Sequence, residues 1–217
     1  MRLIIIRHGQ SVINITRDWA SLPSLDTELT ELGHQQATAL RDWLQEQQIT
    51  ADVLYTSTMR RTLQTADYVA EALGLEPIRD DRIREVGSNY TNGDPVQFDG
   101  LEMTFDAPPG YKAPLQARSS NLPESESWMH FRLRVSLFLD EMVANHFGKT
   151  VYVVAHGGVL TATFEHLFNT GPNRIVTADT KNTGWSEFRY EKERDGFNLW
   201  AIRFHNRIDH LSKLQDS

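Results

Sequence analysis

Residues 1–11, MRLIIIRHGQS, decide the fold class. Leu3 to Ile6 are apolar without a break and mostly β-branched, the composition of a short strand covered on both faces. The run stops at Arg7-His8-Gly9, where a cation, an imidazole and backbone freedom arrive together. In open α/β sheets ligands lie beyond the carboxyl ends of the strands. Arg7 and His8 therefore stand where a ligand is met, and Gly9 lets it approach the main chain.

Two other stretches repeat this pattern. Residues 51–56 (ADVLYT) and 150–155 (TVYVVA) read as buried strands, the first running into Ser57-Thr58-Met59 and the second into His156-Gly157-Gly158. In a parallel sheet all three ends emerge along one edge, which gathers Arg7, His8, His156 and Gly157 with the start of the helix that carries Arg60 and Arg61. Arginines in a first helical turn oppose the helix dipole unless an anion is bound there, and Arg61 is the better assigned to that anion than Arg60.

The segments between supply scaffold. Thr30 reads as the N-cap of a helix with Ala37, Leu40 and Leu44 on one face. A second helix has its stripe at Leu63, Ala66, Ala70 and Leu73 and is closed by Gly74. A third spans Glu126 to Phe147 with Trp128, Phe131, Val135, Phe138, Leu139 and Met142 inward and is ended by Gly148; a fourth, VLTATFEHLF, follows Gly158. Residues 12–29 read as a loop with at most one helical turn, in which Asn14 either forms a turn or returns to the pocket near His8. Pro77-Ile78 start a short strand that residues 84–87, with Glu85, close. WSEFRYE and FNLWAIRFH pair as a hairpin across residues 193–196, and the polar tail from Asn206 is expected to be loose.

Residues 88–123 hold five of the eight prolines together with Phe98, Phe105 and Tyr111, so a loop-rich insertion or lid is expected there, with Lys112 and Arg118 at a pocket mouth. The 217 residues otherwise fit one domain, 1–217. With 22 Lys and Arg against 29 Asp and Glu, the net charge of −7 opposes a nucleic-acid partner, and any anion must be met by local cations. The absence of cysteine excludes disulfides, thiolate catalysis and cysteine-based metal sites. No stretch has the length of a membrane span and the opening apolar run is too short for a signal-peptide core, so a cytoplasmic location is the default expectation.

A phosphoryl group spreads charge over three oxygens, which two guanidinium forks, His156 and Asn14 suit. A neutral imidazole held in line is also a competent nucleophile, and either His8 or His156 fits that part. Metal hydrolysis lacks a ligand pattern such as HExxH. His34, His130, His146 and His166 fall on predicted helices as surface or satisfied residues, while His205 and His210 fall at a hairpin end and in the tail.

MRLIIIRHGQS with Asn14, STMRRTLQTA, IREVG and VYVVAHGG together resemble the histidine phosphatase superfamily, in the branch of cofactor-dependent phosphoglycerate mutases and small phosphatases. The resemblance runs from about Met1 to Leu211, where NRIDHL matches the closing stretch of family phosphatases. It implies a three-layer α/β/α sandwich with a largely parallel central sheet, as in phosphoglycerate mutase. It also implies His8 as nucleophile, with Arg7, Arg61 and His156 holding the phosphoryl oxygens, Asn14 assisting and Gly157 in the same binding set. Glu85 falls where the family places its general acid. No metal or cofactor is implied, and the partner is a small phosphorylated metabolite. The sequence departs from the family in GSNYTNGDP after Glu85 and in Ser125-Glu126-Ser127 before the long helix. The reading is a phosphatase working through phosphorylated His8; the alternatives are mutase-type transfer and a non-catalytic phospholigand-binding module.

Overall fold

The computed structural model describes residues 1–17, 22, 24–86, 90–91, 94–95, 128–170, 177–192 and 196–215. Along the chain these form β1 (Arg2–Arg7), the short helix α1 (Val12–Ile15), α2 (Glu31–Glu46), β2 (Val53–Thr56), α3 (Arg60–Leu73) and β3 (Ile78–Arg79). Then come a 3-10 turn (Asp81–Ile83), a two-residue ladder of β4 (Tyr90–Thr91) and β5 (Asp94–Pro95), α4 (Trp128–His146), β6 (Thr150–Ala155) and α5 (Gly157–Leu167). The chain closes with β7 (Trp185–Lys192), β8 (Asn198–Arg207), a 3-10 turn (Asp209–Leu211) and α6 (Ser212–Gln215).

The six-stranded sheet has the order β3-β2-β6-β1-β7-β8. The pairs β3/β2, β2/β6 and β6/β1 are parallel, and the β7/β8 hairpin joins the β1 edge antiparallel. The unbroken apolar runs serve two cores at once. Leu3, Ile5, Val151 and Val153 face one side with Phe131, Val135, Phe138 and Leu139 of α4, while Ile4, Ile6, Tyr152 and Val154 face the other with Leu40 and Leu44 of α2 and Ala66 and Val69 of α3. Alternate residues of a strand point to opposite faces, and covering both faces gives the three-layer sandwich. Each of these β1 side chains is at most 1% exposed, contributing about 1.5–3 kcal/mol by burial.

Register fixes where the strands stop. Arg7 pairs with Ala155 and Thr56 with Val154, so His8, His156 and Ser57 leave the sheet at one level.

Several expectations are corrected. The fully buried side of α3 is Arg61, Thr62, Thr65, Ala66 and Val69 rather than the stripe through Leu63, Ala70 and Leu73, which are half-buried. Polar burial is tolerated because the hydroxyls bond locally: Thr62 Oγ1 donates to the Ser57 carbonyl at 2.9 Å and Thr65 Oγ1 to the Arg61 carbonyl at 2.7 Å. The strand expected from Pro77 to residue 87 is only two residues, followed by a 3-10 turn capped by Asp80, whose side chain accepts from the Arg82 amide. As far as Leu211 the tail from Asn206 is not loose. Asn206 and Arg207 finish β8, and His210 and Leu211 are buried, with Thr183 Oγ1 and His210 Nε2 at 2.8 Å. Of the expected insertion at 88–123 only the β4/β5 ladder belongs to the described residues; Lys112, Arg118, the hairpin turn at 193–195 and the helix start at Glu126 lie outside them.

Helix α2 reaches the loop after β1 through two glycines. A Cβ on Gly33 would lie 1.9 Å from the Gln10 carbonyl oxygen, and one on Gly9 would lie 2.6 Å from the Gly33 carbonyl oxygen. Because both obstacles are main chain, Gly33→Ala must move the segment bearing His8. It is expected to destabilise the fold by about 1–3 kcal/mol, read as a lower urea midpoint with unchanged slope.

Candidate active site

The three strand ends bring together most of the predicted residues. His8 is 3% exposed, and its ring packs edge-on against His156, centroids 5.2 Å apart. Its Nδ1 lies 2.7 Å from the Gly9 carbonyl oxygen and its Nε2 receives a 3.1 Å hydrogen bond from Arg61 Nε. A carbonyl only accepts and a guanidinium only donates, so the pairing assigns the proton to Nδ1 and the lone pair to Nε2. Burial, then the charges of Arg61 and Arg7, hold the His8 pKa well below its ordinary value. Near neutral pH the ring is an uncharged base whose lone pair faces a guanidinium.

Arg61, on the first turn of α3, is 3% exposed. Its Nη1 donates to the Leu25 carbonyl at 3.0 Å. Burial draws its pKa down to about 10, which leaves it cationic at neutral pH. Arg60 beside it points outward and pairs with Glu28 at 3.2 Å, so of the two arginines it is Arg61 that lies buried beside His8.

His156 is fully buried as the N-cap of α5, its Nε2 2.8 Å from Ser57 Oγ. Ser57 Oγ also accepts from the Met59 amide at 3.4 Å, and assigning its hydroxyl proton to His156 Nε2 puts the imidazole proton on Nδ1. Among the described residues that buried Nδ1 has no hydrogen-bond partner, and neither does Arg7 Nε; Arg7 otherwise donates through Nη1 to the Thr180 carbonyl. Two orphaned buried donors in one cationic corner mark a place for an anion. Gly157 opens α5 beside Arg7: a Cβ there would lie 3.8 Å from Arg7 Nε.

Residues 3–203 of the 217 match the family model of the histidine phosphatase superfamily, branch 1. The chain belongs to that superfamily. Phosphoserine phosphatase 1 of Hydrogenobacter thermophilus is 29% identical over 196 residues, covering 90% of this histidine phosphatase and 89% of the relative. The 2,3-bisphosphoglycerate-dependent phosphoglycerate mutase of Corynebacterium kroppenstedtii is 30% identical over 205 residues, covering 81% and 80%. Among solved structures, the mycobacterial glucosyl-3-phosphoglycerate phosphatase in complex with VO3 superposes with a TM-score of 0.65 at 26% identity, covering 94% of this chain and 98% of its own.

The histidine phosphatase carries Glu85 just past its 3-10 turn. Glu85 Oε2 accepts from the Gly158 amide at 3.2 Å and Oε1 from the Val86 amide at 2.9 Å. Space for the carboxylate depends on Gly158, where a Cβ would meet Glu85 Oε1 at 2.0 Å. Asn14 is exposed, and its partners are main-chain and side-chain groups around the loop after β1. Its Oδ1 accepts from the Ser11 amide at 3.0 Å and from Asn182 Nδ2 at 3.2 Å, and Asn182 also donates to the His8 carbonyl at 3.1 Å. Thr183 adds its amide to that carbonyl at 3.2 Å with a left-handed φ of 55°. Sequence reading missed Asn182 and Thr183; the available signal was a small polar trio, Asn182-Thr183-Gly184, just before a predicted strand.

The other histidines find protein partners: His34 with Tyr68 and His146 with Tyr55 by hydrogen bond, and His166 with Asp140 at 3.7 Å. Among the described residues no three His, Asp or Glu side chains are grouped to hold a metal ion, and no helix is long and apolar enough to cross a membrane.

Buried neutral histidines link folding to pH. His8 and His156 are shifted well below 6.5, and His210 falls to about 4, in each case chiefly through burial. In the unfolded chain these rings bind protons near pH 6.5, whereas the folded chain resists them. Stability is therefore expected to be intact above about pH 6.5 and to fall as pH drops towards 4, with up to about 1.4 kcal/mol per pH unit for each histidine. Urea melts across that range check the sign.

Proposed function

We propose that this histidine phosphatase hydrolyses a small phosphomonoester in two steps through phosphohistidine at His8. The observation that carries the reading is the tautomer of His8: Nδ1–H is tied to the Gly9 carbonyl and the Nε2 lone pair points at Arg61, where a phosphoryl group is met.

Substrate binding draws the Arg61 fork from Nε2 to the phosphoryl oxygens, joined by the free donors of Arg7 Nε and His156 Nδ1 and by the positive end of α5. His8 Nε2 then forms the N–P bond as the ester P–O bond breaks, and protonated Glu85 gives its proton to the departing oxygen. In the second step the Glu85 carboxylate takes a proton from water, whose oxygen bonds to phosphorus as the N–P bond breaks. Inorganic phosphate leaves and His8 returns to its neutral form. Positioned cations neutralise the charge that spreads over the transferring group, and most of the catalysis in phosphoryl transfer lies there.

The substrate in this reading is a small phosphorylated metabolite of the phosphoserine or phosphoglycerate kind, a reading the relatives' names support. A second reading, transfer of the phosphoryl group back to a sugar acid, draws support from the 30% identical mutase. The test is to supply the purified chain with phosphoserine or 3-phosphoglycerate, with and without 2,3-bisphosphoglycerate and with chelator present. Hydrolysis requires inorganic phosphate to appear at a rate independent of the bisphosphate; isomerised phosphoglycerate formed only with the bisphosphate overturns it.

A further inference from the structure

We propose that Arg134 is a positioning residue for Glu85, holding the main chain of the acid-bearing segment through a fan of hydrogen bonds to its carbonyls. The proposal rests on the reading of Glu85 as the general acid. Arg134 belongs to α4 and is 1% exposed, among the apolar residues that α4 turns to the sheet, and its guanidinium lies over the Phe131 ring at 4.6 Å. Nη1 donates to the Arg82 carbonyl at 2.6 Å and to the Arg84 carbonyl at 2.7 Å, while Nη2 donates to the Glu85 carbonyl at 3.1 Å. One planar group thus binds Glu85 and two of the three residues before it.

The segment needs such a hold because secondary structure does not reach it. Strand β3 ends at Arg79 and the 3-10 turn at Ile83, so among the described residues no ladder supports the backbone at Glu85. Carbonyl dipoles converging where water is partly or wholly excluded are costly unless a donor meets them, and a rigid fork meets several at once in fixed directions. On the opposite side Arg84 Nη1 donates to Thr58 Oγ1 at 2.7 Å, tying the segment to the turn that opens α3. With its backbone held this way, Glu85 keeps its carboxylate against the Gly158 amide at the start of α5. A carboxylate on an untethered segment would spend less of its time within reach of the departing oxygen, and general acid catalysis depends on that reach.

The discriminating readout is the leaving group. Formation of the phosphoenzyme from an alkyl phosphate needs a proton on the departing oxygen, whereas p-nitrophenolate departs with little help. The quantity to measure is the ratio of kcat/KM for phosphoserine to that for p-nitrophenyl phosphate, since kcat/KM reports only steps up to release of the first product. Glu85→Gln is expected to lower this ratio by about 10²-fold, within the range general acids supply. Arg134→Met is expected to lower it by about tenfold or more, and Arg134→Lys by less, because an ammonium keeps the charge but cannot span the three carbonyls. In a Glu85→Gln background the Arg134 substitutions are expected to leave the ratio where Glu85→Gln put it.

A ratio unchanged by both Arg134 variants, or effects of Arg134 and Glu85 that multiply, overturns the proposal, as does failure of every Arg134 variant to fold by circular dichroism. If Glu85→Gln itself leaves the ratio unchanged, the general-acid reading fails and the Arg134 proposal with it. If Glu85→Gln lowers the ratio and the Arg134 variants do not, only the proposal about Arg134 fails.

Discussion

Replacing His8 with alanine is expected to reduce phosphomonoester turnover by ~10⁴-fold or more, because the covalent step has no other group to accept phosphorus. His156 cannot substitute. Its Nε2 is occupied by the Ser57 hydroxyl and its Nδ1 carries a proton, so it offers a donor where a nucleophile needs a lone pair. The loss should fall on kcat with substrate binding retained, since Arg7, Arg61 and His156 still present their donors. Steady-state kinetics on p-nitrophenyl phosphate, with circular dichroism to confirm the fold, checks it, and turnover within tenfold of the native chain would remove His8 from the chemistry.

The second large effect is at Arg61. Arg61→Ala deletes a buried cation that touches the nucleophile and faces the phosphoryl group, and a loss of ~10²–10³-fold in kcat is expected by comparison with removing one donor from an oxyanion hole. The same change has a signed consequence for pH. The Arg61 charge is one of the groups holding the His8 pKa down, after burial itself. Without it the imidazole takes up a proton at higher pH, so the acid limb of kcat/KM should move upward. In the native chain that limb is expected below the ordinary histidine value, since burial and the two arginines hold the His8 pKa down. A limb that stays in place in Arg61→Ala would separate Arg61 from the nucleophile.

Much of this arrangement is legible in the chain because its strands are buried on both faces. β1, β2 and β6 announce themselves as unbroken apolar runs, and each leads straight into the residues that matter: Arg7 and His8, Ser57 and Arg61, His156 and Gly157. The β7/β8 hairpin is legible through its aromatic, alternating strands. What escapes is whatever depends on polar burial. Arg134 draws no reading from the sequence, since arginines so rarely go inside; its burial among apolar residues and its bonds to main-chain carbonyls show only in the folded chain. The inward face of α3 is misread because its stripe is drawn through apolar residues alone, whereas Thr62 and Thr65 go inside with their hydroxyls satisfied by nearby carbonyls. Asn14 is legible as a residue near His8, but not as part of the bracing that reaches the His8 carbonyl through Asn182. Of β3 the start at Pro77-Ile78 is legible, but its end after two residues is not, because a strand this short carries too little pattern to set its length.

The central claim is that Nε2 of His8 takes the phosphoryl group. The direct measurement is a single-turnover reaction with a reactive phosphomonoester, quenched in alkali to preserve phosphohistidine, digested, and analysed for the modified residue and the isomer. Phosphate on Nε2 of His8 is the expected result, because Nδ1 is held at 2.7 Å by the Gly9 carbonyl. Phosphate on His156, phosphate on Nδ1 of His8, or product formed with no phosphoenzyme on the way would each contradict it.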